Sequence, residues 1–531
     1  MKNIFLFILT SAICHLPSDI FSQTFQRTYS TTGVETGTCI QNTLDGNYII
    51  TGNTSGVGAG YQDAFLMKVS TSGNLIWAKT YGGSSNEYSY YVTSCSDGGY
   101  ILSGTTTSFG NNTELYLVRT DSGGNLLWSK TTGGSGTDIG WFVMEMSDGG
   151  FITCGQTNSF NGPTYNAYLT KHDSGGNLLW TKVFYGSSSE GFNGMSKTSD
   201  GGIIAVGKTG INSFGSSDIL LIKTDSNGDT LWTGQYGKIT EDEGWAVVPA
   251  YDGGYALTGD MHKDTVTPGA HNTLLLKTDS GGNMQWARTY GSNPGSEIGY
   301  DIIQNADSSY SILGNTGYYG NGSREMMMLN MDKSGTFNWA RTYGYIMQDD
   351  AWQFRKTADG GYVIIAATEN YFANNVWDVY LVKTDSLGLD SCFETTDSVE
   401  TFLPFVQMKR GIPLSSGGTA ATPATVVTNV TMQVNNPCSL VGMNETSLTE
   451  NNAVVYPNPF SKEATVKIGS QQLAVSNRFI LYDIFGKEIR SEAIRNSDSF
   501  VIRRDGLPSG IYFYKVRSLN ETIATGKIII K

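Results

Sequence analysis

Residues 90–132 read YYVTSCSDGGYILSGTTTSFGNNTELYLVRTDSGGNLLWSKTT. Four short runs in this stretch alternate apolar and polar residues, and two glycine-rich turns and one longer loop separate them. Alternation of period two between turns rich in Gly, Asp and Asn predicts β-hairpins. The stretch therefore predicts four short antiparallel strands, the last of which carries a tryptophan.

The same unit recurs along the chain. Its tryptophans follow one another at intervals of 51, 52, 52, 54 and 53 residues: Trp77, Trp128, Trp180, Trp232, Trp286 and Trp339. Its first turn recurs seven times, beginning at Asp45, Asp97, Asp148, Asp200, Asp252, Asp307 and Asp359. Phe25, in the stretch FQRTY, lies 20 residues before Asp45, the spacing found between most of the tryptophans and the next first turn. Phe25 therefore takes the tryptophan position of a seventh unit.

Four antiparallel strands in about 52 residues are typical of one propeller blade. A solenoid is the alternative, but the seventh unit stops after its third strand, DVYLVKT (378–384), and FQRTY supplies a strand at the other end of the repeats. Pairing this strand into the last unit would close a ring and remove open sheet edges. The predicted fold class is all-β: a seven-bladed β-propeller over residues 24–392, followed by a small C-terminal β-sandwich.

The composition fits this prediction and excludes several classes of protein. Among 531 residues there are 65 Gly but only 12 Pro, hydrophobic residues make up 39%, and charged residues make up 16%. This profile differs from that of a coiled coil, a collagen or a charge-rich disordered chain. The net charge of 35 − 48 = −13 argues against nucleic-acid binding, because the phosphate backbone requires clustered Lys and Arg.

The N-terminus predicts export. Residues 1–23 combine Lys2 with the apolar run IFLFILTSAIC, as in a secretory signal peptide. Cys14 is the alternative signal, for a lipoprotein anchor, but Ile13 stands where such signals require a small residue. No later apolar run approaches 18 residues, so no membrane span is expected. The mature chain is predicted to be secreted or displayed on the outer-membrane surface.

Export to an oxidising compartment permits disulfide bonds. Cys392 and Cys438 bracket a segment rich in Ser, Thr, Gly and Val, and they are the candidate pair. Cys39, Cys95 and Cys154 lie within the repeats, where we expect buried small apolar residues.

A carboxylate stands ten residues before every first turn: Glu35, Glu87, Asp138, Glu190, Asp242, Glu297 and Asp349. Each begins the first strand of its unit, so the seven are expected to form an acidic ring near the mouth of the central channel. In the structural interpretation, each carboxylate accepts backbone N–H bonds and locks neighbouring blades. In the functional interpretation, part of the ring stays solvated and binds a cation such as Ca²⁺. No other cofactor is indicated.

The loops between second and third strands vary most and are expected on the face of the acidic ring. Their aromatic residues include Tyr61, Phe109, Phe160, Tyr165, Phe214, Tyr319, Tyr371 and Trp377. Aromatic residues among Asn, Gly and Ser on surface loops are typical of glycan or protein recognition. This loop face is therefore the predicted ligand-binding face, although packing over blade edges is the alternative for each residue.

The second turn and its tryptophan, as in TDSGGNLLW (120–128), resemble the tryptophan-docking repeat of quinoprotein-type propellers. They also resemble the Asp-box of sialidases. Both motifs are structural in those families, so plain β-turns are expected. No GxSxG, P-loop or HExxH pattern occurs, and only His172, His262 and His271 follow the signal peptide. No catalytic residue is predicted, and the chain is not expected to be an enzyme.

Residues 393–453 are poor in charge and rich in small residues, which predicts a flexible linker. Residues 454–531 contain 12 basic and 7 acidic residues, a charge of +5, which leaves −13 − 5 = −18 for the rest of the chain. This asymmetry marks a separate module. Its alternating apolar runs predict a small β-sandwich.

Four stretches of this module carry a family resemblance: VVYPNPF (454–460), LYDIFGKEI (481–489), DGLPSGIYFYKV (505–516) and GKIIIK (526–531). They resemble the type A C-terminal sorting domain of type IX secretion cargo. The motif residues are Tyr456, Pro457, Asn458, Pro459, Gly510, Tyr512 and Lys531. The resemblance implies passage through the type IX translocon. It also implies removal of the domain by a sortase-like peptidase, with release or attachment at the surface.

Two functions follow from the sequence. The first is a secreted or surface-displayed binding or adhesion module whose ligand is a glycan or a protein. The second is an extracellular polysaccharide hydrolase or lyase that uses carboxylates of the acidic ring. The near-uniform acidity of the ring favours the first, since an active site would break the repeat more visibly.

Overall fold

In the computed structural model the chain forms two compact units, residues 1–438 and 439–531. The structure describes residues 24–110, 112–160, 162–186, 188–210, 213–263, 270–292, 295–320, 324–344, 347–369, 376–390, 394–397, 399–404, 406–409, 414–416, 419–421, 426–430, 432–435, 453–456, 458, 460–468, 477–482, 488–494, 499–518 and 521–530. All regular secondary structure in these ranges is β, without a helix. The predicted all-β class is confirmed.

In the described part of the first unit, β1 (Phe25–Ser30) is followed by six sets of four strands and one set of three. In chain order the sets are β2 (Glu35–Asn42), β3 (Tyr48–Thr54), β4 (Asp63–Val69), β5 (Leu75–Gly82); β6 (Glu87–Ser94), β7 (Tyr100–Thr106), β8 (Glu114–Thr120), β9 (Leu126–Gly133); β10 (Asp138–Glu145), β11 (Phe151–Thr157), β12 (Asn166–His172), β13 (Leu178–Phe184); β14 (Glu190–Lys197), β15 (Ile203–Thr209), β16 (Asp218–Thr224), β17 (Thr230–Gly237); β18 (Asp242–Pro249), β19 (Tyr255–His262), β20 (His271–Thr278), β21 (Met284–Gly291); β22 (Glu297–Gln304), β23 (Tyr310–Thr316), β24 (Glu325–Met331), β25 (Phe337–Tyr343); and β26 (Asp349–Lys356), β27 (Tyr362–Glu369), β28 (Trp377–Thr384).

Each set of four forms an antiparallel sheet in chain order, from sheet 1 (β2 to β5) to sheet 6 (β22 to β25). Sheet 7 consists of β26, β27 and β28 followed by β1, with Phe25 opposite Lys383 and Tyr29 opposite Val379. The predicted pairing of FQRTY with the last unit is confirmed. The N-terminal strand thus joins the two ends of the repeat region.

The hydrophobic core of this unit lies between successive sheets. Val206 of sheet 4 and Leu257 of sheet 5, for example, belong to one fully buried cluster. Sheet 7 packs against sheet 1 in the same way, because Ile365 and Val379 share a buried cluster with Phe65. Each sheet therefore buries apolar residues on both faces, which explains the continuous apolar runs of the second and third strands.

The repeated tryptophan lies at the joint between one sheet and the next. Trp77 of sheet 1 packs on Gly124 in the second turn of sheet 2, where an added Cβ would lie 2.7 Å from the indole ring. Tyr81, four residues after this tryptophan, donates a hydrogen bond of 2.6 Å to the carbonyl oxygen of Gly124. A glycine is required here both by the ring and by its φ of 72°.

The joint between sheet 7 and sheet 1 has the same chemistry. Phe25 packs on Gly73, with 2.7 Å between an added Cβ and the phenyl ring, and Tyr29 donates a bond of 2.6 Å to the Gly73 carbonyl oxygen. Phe25 occupies the tryptophan position because it fills the same space.

The glycine-rich turns have clear local causes. The Asp121 carboxylate accepts hydrogen bonds from the backbone N–H groups of Gly123 and Asn125, which closes the second turn. The expectation of plain β-turns is confirmed. In the first turn, the aspartate pairs at 2.6 to 2.8 Å with a Lys or Arg of the third strand in six units: Asp45–Lys68, Asp97–Arg119, Asp148–Lys171, Asp200–Lys223, Asp252–Lys277 and Asp359–Lys383.

The expectation of a flexible linker is wrong for residues 394–435, which we call the edge segment. Its strands are β29 (Glu394–Asp397), β30 (Glu400–Phe402), β31 (Gln407–Lys409), β32 (Leu414–Ser416), β33 (Thr419–Ala421), β34 (Val426–Val430) and β35 (Gln433–Asn435). They pair antiparallel, one each, with the outermost strands of sheets 6, 5, 4, 3, 2, 1 and 7, in that order. The edge segment thus adds a fifth strand to every sheet.

Backbone pairing and apolar burial explain this path. The fourth strands would otherwise present unpaired N–H and C=O groups, which short added strands can satisfy. Residues next to these strands also enter the core. Val399, Val406 and Met432 are buried in the clusters between sheets 5 and 6, sheets 4 and 5, and sheets 7 and 1.

The second unit contains β36 (Ala453–Tyr456), β37 (Glu463–Ile468), β38 (Asn477–Tyr482), β39 (Glu488–Ile494), β40 (Ser499–Arg503), β41 (Gly510–Ser518) and β42 (Glu521–Ile530). They form a sheet of order β36-β37-β40 and a sheet of order β39-β38-β41-β42. Both sheets contribute to one core, in which Val466 of β37 packs with Phe479 of β38 and Ile528 of β42.

The motif residues of this module join its first and last strands. The Asn458 side chain donates to the carbonyl oxygen of Lys527 and accepts from the Ile529 N–H, both at 2.8 Å. Gly510 opens β41 opposite Ile530, the Tyr512 hydroxyl donates to the Pro508 carbonyl oxygen, and Tyr456 is exposed. Pro457, Pro459 and Lys531 lie outside the described residues.

Cys39, Cys95 and Cys154 are buried free thiols, as the sequence predicts. Cys392, Cys438 and the signal peptide at 1–23 lie outside the described residues, so the disulfide and the cleavage site stay predictions.

Candidate ligand-binding site

The seven carboxylates of the predicted acidic ring occupy equivalent places, each as the first residue of the first strand in its sheet: Glu35, Glu87, Asp138, Glu190, Asp242, Glu297 and Asp349. All are at most 1% exposed. This burial fits the structural interpretation, in which the carboxylates lock neighbouring sheets, because the side chains lie at the joints between sheets. Glu87, for example, lies beside Asp63 of the preceding sheet.

Hydrogen bonds hold several of these buried carboxylates. Glu87 accepts a bond of 2.7 Å from the backbone N–H of Gly83, in the connection before its strand. It accepts another of 2.6 Å from Thr106 at the end of the second strand. The same two kinds of bond hold Asp138. The geometry supports the structural interpretation, and the described residues include no group of three or more His, Cys, Asp or Glu arranged to hold a metal ion.

The carboxylates at the joints titrate abnormally. Burial raises the pKa of Glu190 to about 8 and that of Asp242 to about 7. Burial, and then the negative charge of Asp138, raises the pKa of Glu114 to about 7. Burial likewise raises the pKa of Asp378 to about 6. The folded protein therefore favours the protonated form of these groups.

We expect the protein to be more stable at pH 5 than at pH 8.5. The pKa values of these carboxyl groups are higher in the folded protein than in the unfolded chain, where they lie near 4. The folded state therefore binds more protons than the unfolded state between pH 4 and pH 8. The free energy of unfolding therefore falls as pH rises through this window, and we expect Tm to drop by roughly 5 °C in thermal unfolding followed by circular dichroism. Below pH 4 the trend reverses, because hydrogen bonds from Lys223 and Thr198 lower the pKa of Asp200 to about 2.

A matched pair of variants tests the cause. Glu190→Gln removes an ionisable group from a joint and should reduce the difference in Tm between the two pH values. Glu400→Gln, at an exposed position, should leave it unchanged. An unaltered pH profile in Glu190→Gln would show that burial of this carboxyl is not responsible.

The aromatic residues of the predicted loop face do not gather into one site. Phe109 packs on Gly83, and Phe160 packs on Gly134, each in the connection that precedes its own sheet. Tyr319 packs on the cluster of sheets 5 and 6 and donates to the Gly291 carbonyl oxygen at 3.0 Å. These three cover joints between sheets, which was the alternative interpretation.

The other loop aromatics are scattered. Tyr61 is 76% exposed, Tyr165 is half-buried, and the Lys409 ammonium lies 4.1 Å from the centre of the Phe214 ring. Tyr371 lies outside the described residues. Among the described members of the set, Trp377 lines the cavity considered next.

A cavity of about 850 Å³ lies among the first strands of the seven sheets. Its wall includes the residue three positions after each ring carboxylate: Thr38, Tyr90, Trp141, Asn193, Trp245, Tyr300 and Trp352. Each is the extra residue of a β-bulge, where the pairing of the first and second strands shifts register. A bulge redirects its extra side chain, and the seven bulges bring seven side chains to one cavity.

Five of these seven residues are aromatic, and they form two groups. Tyr90 and Trp141 are the first aromatic group, with ring centres 4.3 Å apart. Trp245, Tyr300 and Trp352 are the second aromatic group, with centres 5.1 Å and 5.5 Å apart. All are half-buried except Trp352, which is 38% exposed. Thr38 of sheet 1 and Asn193 of sheet 4 separate the two groups.

Ion pairs hold the charged residues of the cavity. Glu243 pairs with Lys208 at 3.0 Å and accepts a bond of 2.8 Å from the Asn193 amide. Asp350 pairs with Arg324 at 2.6 Å. Burial raises the pKa of Glu243 and of Asp350, and the neighbouring cations oppose this shift.

Two further networks include residues of the cavity wall. Arg355 pairs with the buried Asp301 at 2.7 Å and donates to Tyr91 at 3.0 Å. Asp260 accepts a bond of 2.9 Å from the indole N–H of Trp245 and lies 2.6 Å from His271. This carboxylate raises the pKa of His271. The networks fix the orientation of residues that face the cavity.

Sequence reasoning missed this site, although a signal was present. The first strands begin ETGT, EYSY, DIGW, EGFN, DEGW, EIGY and DDAW, at 35, 87, 138, 190, 242, 297 and 349. The fourth letter is aromatic in five units. Period-two alternation predicts that the side chain at this fourth position lies on the face of the sheet that packs against the next sheet. Only the β-bulge in the first strand, which the structure shows, turns this side chain toward the cavity.

The C-terminal module is identified by a family model. Residues 454–531 match the secretion system C-terminal sorting domain. This module is a sorting domain of the kind carried by type IX secretion cargo. The resemblance found in the sequence is confirmed. The sorting domain implies interaction with the type IX machinery and export of this cargo to the cell surface or outer membrane. Within the described residues, no helix has the length and apolar character needed to span a bilayer.

Two solved structures show distant likenesses to the chain. Sqt1 from Chaetomium thermophilum is 9% identical, over 67% of this chain and 87% of Sqt1, with a TM-score of 0.38. The extracellular domain of a hybrid two component system from B. thetaiotaomicron is 9% identical, over 93% of this chain and 72% of that domain, with a TM-score of 0.20. We draw no inference about the fold from TM-scores this low. No curated protein matches the sequence.

Proposed function

We propose that the cargo is a ligand-binding protein built on a seven-bladed β-propeller, with a C-terminal β-sandwich as its sorting domain. Support for a closed propeller comes from the joint between sheets 7 and 1, where Phe25 and Gly73 repeat the contact seen at the other joints. It also comes from the edge segment, whose strands pair with all seven sheets in succession. The cavity among the first strands then corresponds to the central channel.

The observation that carries the binding function is the aromatic cavity. Five half-exposed aromatic side chains converge in a concave site that also holds a few fixed polar groups, as is typical of ligand pockets. The fold does not require aromatic residues there, because Thr38 and Asn193 occupy the same position in sheets 1 and 4. We therefore propose this cavity as the ligand site, and we propose a structural role at the joints for the buried acidic ring.

A polysaccharide hydrolase or lyase is the second candidate. Glu243 and Asp350 are cavity carboxylates whose pKa values burial raises, a property typical of catalytic acids and bases. Their ion pairs with Lys208 and Arg324 favour the ionised form instead, which suits binding better than proton donation.

One experiment separates the two functions. Full-length mature protein is incubated with a panel of polysaccharides, cell-envelope peptides and quaternary amines, and binding is followed by tryptophan fluorescence. New reducing ends and unsaturated products are measured in parallel. We expect a fluorescence change with at least one member, loss of that change in Trp245→Ala, and no product. Product formation that Glu243→Gln abolishes would establish the enzyme instead, and a complete lack of response would contradict the binding function.

For the export route, we propose that a sortase-like peptidase removes the sorting domain near residue 453, with release into the medium or attachment at the surface. The Asn458 bridge supports a compact module that the machinery recognises as a folded unit.

A further inference from the structure

We propose that the cavity binds a neutral oligosaccharide, with sugar rings stacked on the second aromatic group and neighbouring hydroxyls bonded by Glu243 and Lys208. This inference rests on the proposed function of the cavity as the ligand site, and it names the class of ligand.

The aromatic groups indicate stacking rather than simple filling of space. Trp352 is 38% exposed and its neighbour Tyr300 is half-buried, so both side chains present surface to the cavity that they line. The face of an aromatic ring is electron-rich, and it attracts the weakly positive C–H bonds on one side of a sugar ring. Asp260 accepts a hydrogen bond from the indole N–H of Trp245 and holds this side chain in place. Little conformational entropy is therefore lost when a ligand stacks on Trp245.

The charges of the cavity balance. Its carboxylates are Glu243, Asp301 and Asp350, and a cation pairs with each, at 3.0, 2.7 and 2.6 Å. A cationic ligand would bind more strongly beside an uncompensated carboxylate, and an acidic polymer would bind more strongly beside an uncompensated cation. The charge of −18 outside the sorting domain also repels polyanions. Balanced charge selects a neutral ligand.

Glu243 and Lys208 present an acceptor and a donor side by side. One oxygen of Glu243 accepts from Asn193 and the other accepts from Lys208, so each keeps lone-pair capacity for a further donor. The Lys208 side chain is 34% exposed and carries two further N–H groups. A hydroxyl both donates and accepts, so two neighbouring hydroxyls of a sugar match this pair. A neutral apolar ligand would cover Glu243 and Lys208 without forming hydrogen bonds to them, which is energetically costly.

The arrangement around the cavity fits an elongated ligand. Sheets 2 and 3 supply the first aromatic group, sheets 5, 6 and 7 supply the second, and the non-aromatic positions Thr38 and Asn193 lie between them. In a closed ring the two groups stand on opposite sides. A cavity of about 850 Å³ is large enough for several sugar units.

The test measures binding of defined hexasaccharides to full-length mature protein by isothermal titration calorimetry. The neutral probes are cellohexaose, maltohexaose, mannohexaose and xylohexaose, the acidic probe is hexagalacturonate, and the basic probe is a glucosamine hexamer. We expect at least one neutral probe to bind. Its affinity should fall roughly tenfold or more in Trp352→Ala and in the charge-balanced double variant Lys208→Met/Glu243→Gln. Tyr61→Ala, an exposed aromatic outside the cavity, is the matched control and should bind as the parent does.

The outcomes distinguish this inference from the function on which it rests. If only an acidic or a basic probe binds, and Trp352→Ala weakens it, the neutral class is wrong while the cavity stands as the ligand site. If a neutral probe binds equally well to Trp352→Ala and to the double variant, the cavity is overturned as the ligand site, and the inference that rests on it is overturned with it. If no hexasaccharide binds, the carbohydrate inference is overturned, and the fluorescence panel decides separately on the binding function.

Discussion

Replacing residues 394–435 with a Gly-Ser linker of equal length is expected to make the protein aggregate. The edge segment supplies the fifth strand of all seven sheets. Its removal would expose seven outer strands with unpaired backbone groups, and exposed edges of this kind template pairing with other chains. Size-exclusion chromatography with light scattering measures the result. A linker variant that elutes and unfolds as the parent does would show that the edge strands do not protect the sheets.

Point variants make the same test without deleting backbone. Val406→Asp places a charge in the cluster between sheets 4 and 5, and Met432→Asp does so between sheets 7 and 1. Burial of an unpaired charge is strongly unfavourable, so we expect each variant to lower Tm by about 5 °C or more. Leu403→Asp is the matched control, because Leu403 lies in the same segment and is 75% exposed. Its Tm should stay within about 1 °C of the parent value.

Phe25→Ala is expected to cost about 3–5 kcal/mol of unfolding free energy, because it empties the joint between sheets 7 and 1. Phe25 is only 5% exposed and packs on Gly73. Gly73→Ala should also destabilise the protein, since its new methyl group would meet the phenyl ring at 2.7 Å. We expect the second cost to be about 2–4 kcal/mol, the sum of overpacking and backbone strain at a φ of 77°.

Gly46→Ala is the control that measures the cost of backbone strain without overpacking. Gly46 has a φ of 81° in the first turn of the same sheet, and no atom lies within 4 Å of an added Cβ. In chemical denaturation, Gly73→Ala should therefore lower the free energy of unfolding by more than Gly46→Ala does. The difference between the two variants is the cost of overpacking alone. In the Phe25→Ala background this excess should vanish, because the cavity leaves room for the methyl group. Equal costs for the two glycine variants would argue against a tight joint between the first and last sheets.

Much of the fold could be predicted because the sequence repeats. The hairpins follow from period-two runs and turns, and the place of Phe25 follows from its spacing to Asp45. The edge segment could not be predicted in the same way. Its strands are only three to five residues long. Strands this short show no periodicity, and they become strands only where seven preformed edges offer backbone partners.

Less of the candidate site than of the fold could be predicted from the sequence. The carboxylates at 35, 87 and the equivalent positions were visible as a pattern, and a structural role between neighbouring blades was one of the two interpretations of it. The aromatic residue three positions later recurs in five of the seven units, as in Tyr90 and Trp141, yet period-two alternation places it on a packed face. The β-bulge that turns it into the cavity arises from pairing with the second strand, at Gly140/Phe142 for example.

The sequence by itself determined the number of repeats, the all-β class and the export route, because periodic spacing and the sorting motifs are local properties of the chain. The tertiary structure decided what the repeats do together. It buried the acidic residues, placed a strand of the edge segment on every sheet, and collected five aromatic side chains from five sheets into one cavity. Residues more than two hundred positions apart, such as Tyr90 and Trp352, share that cavity because equivalent bulges in separate sheets face the same space.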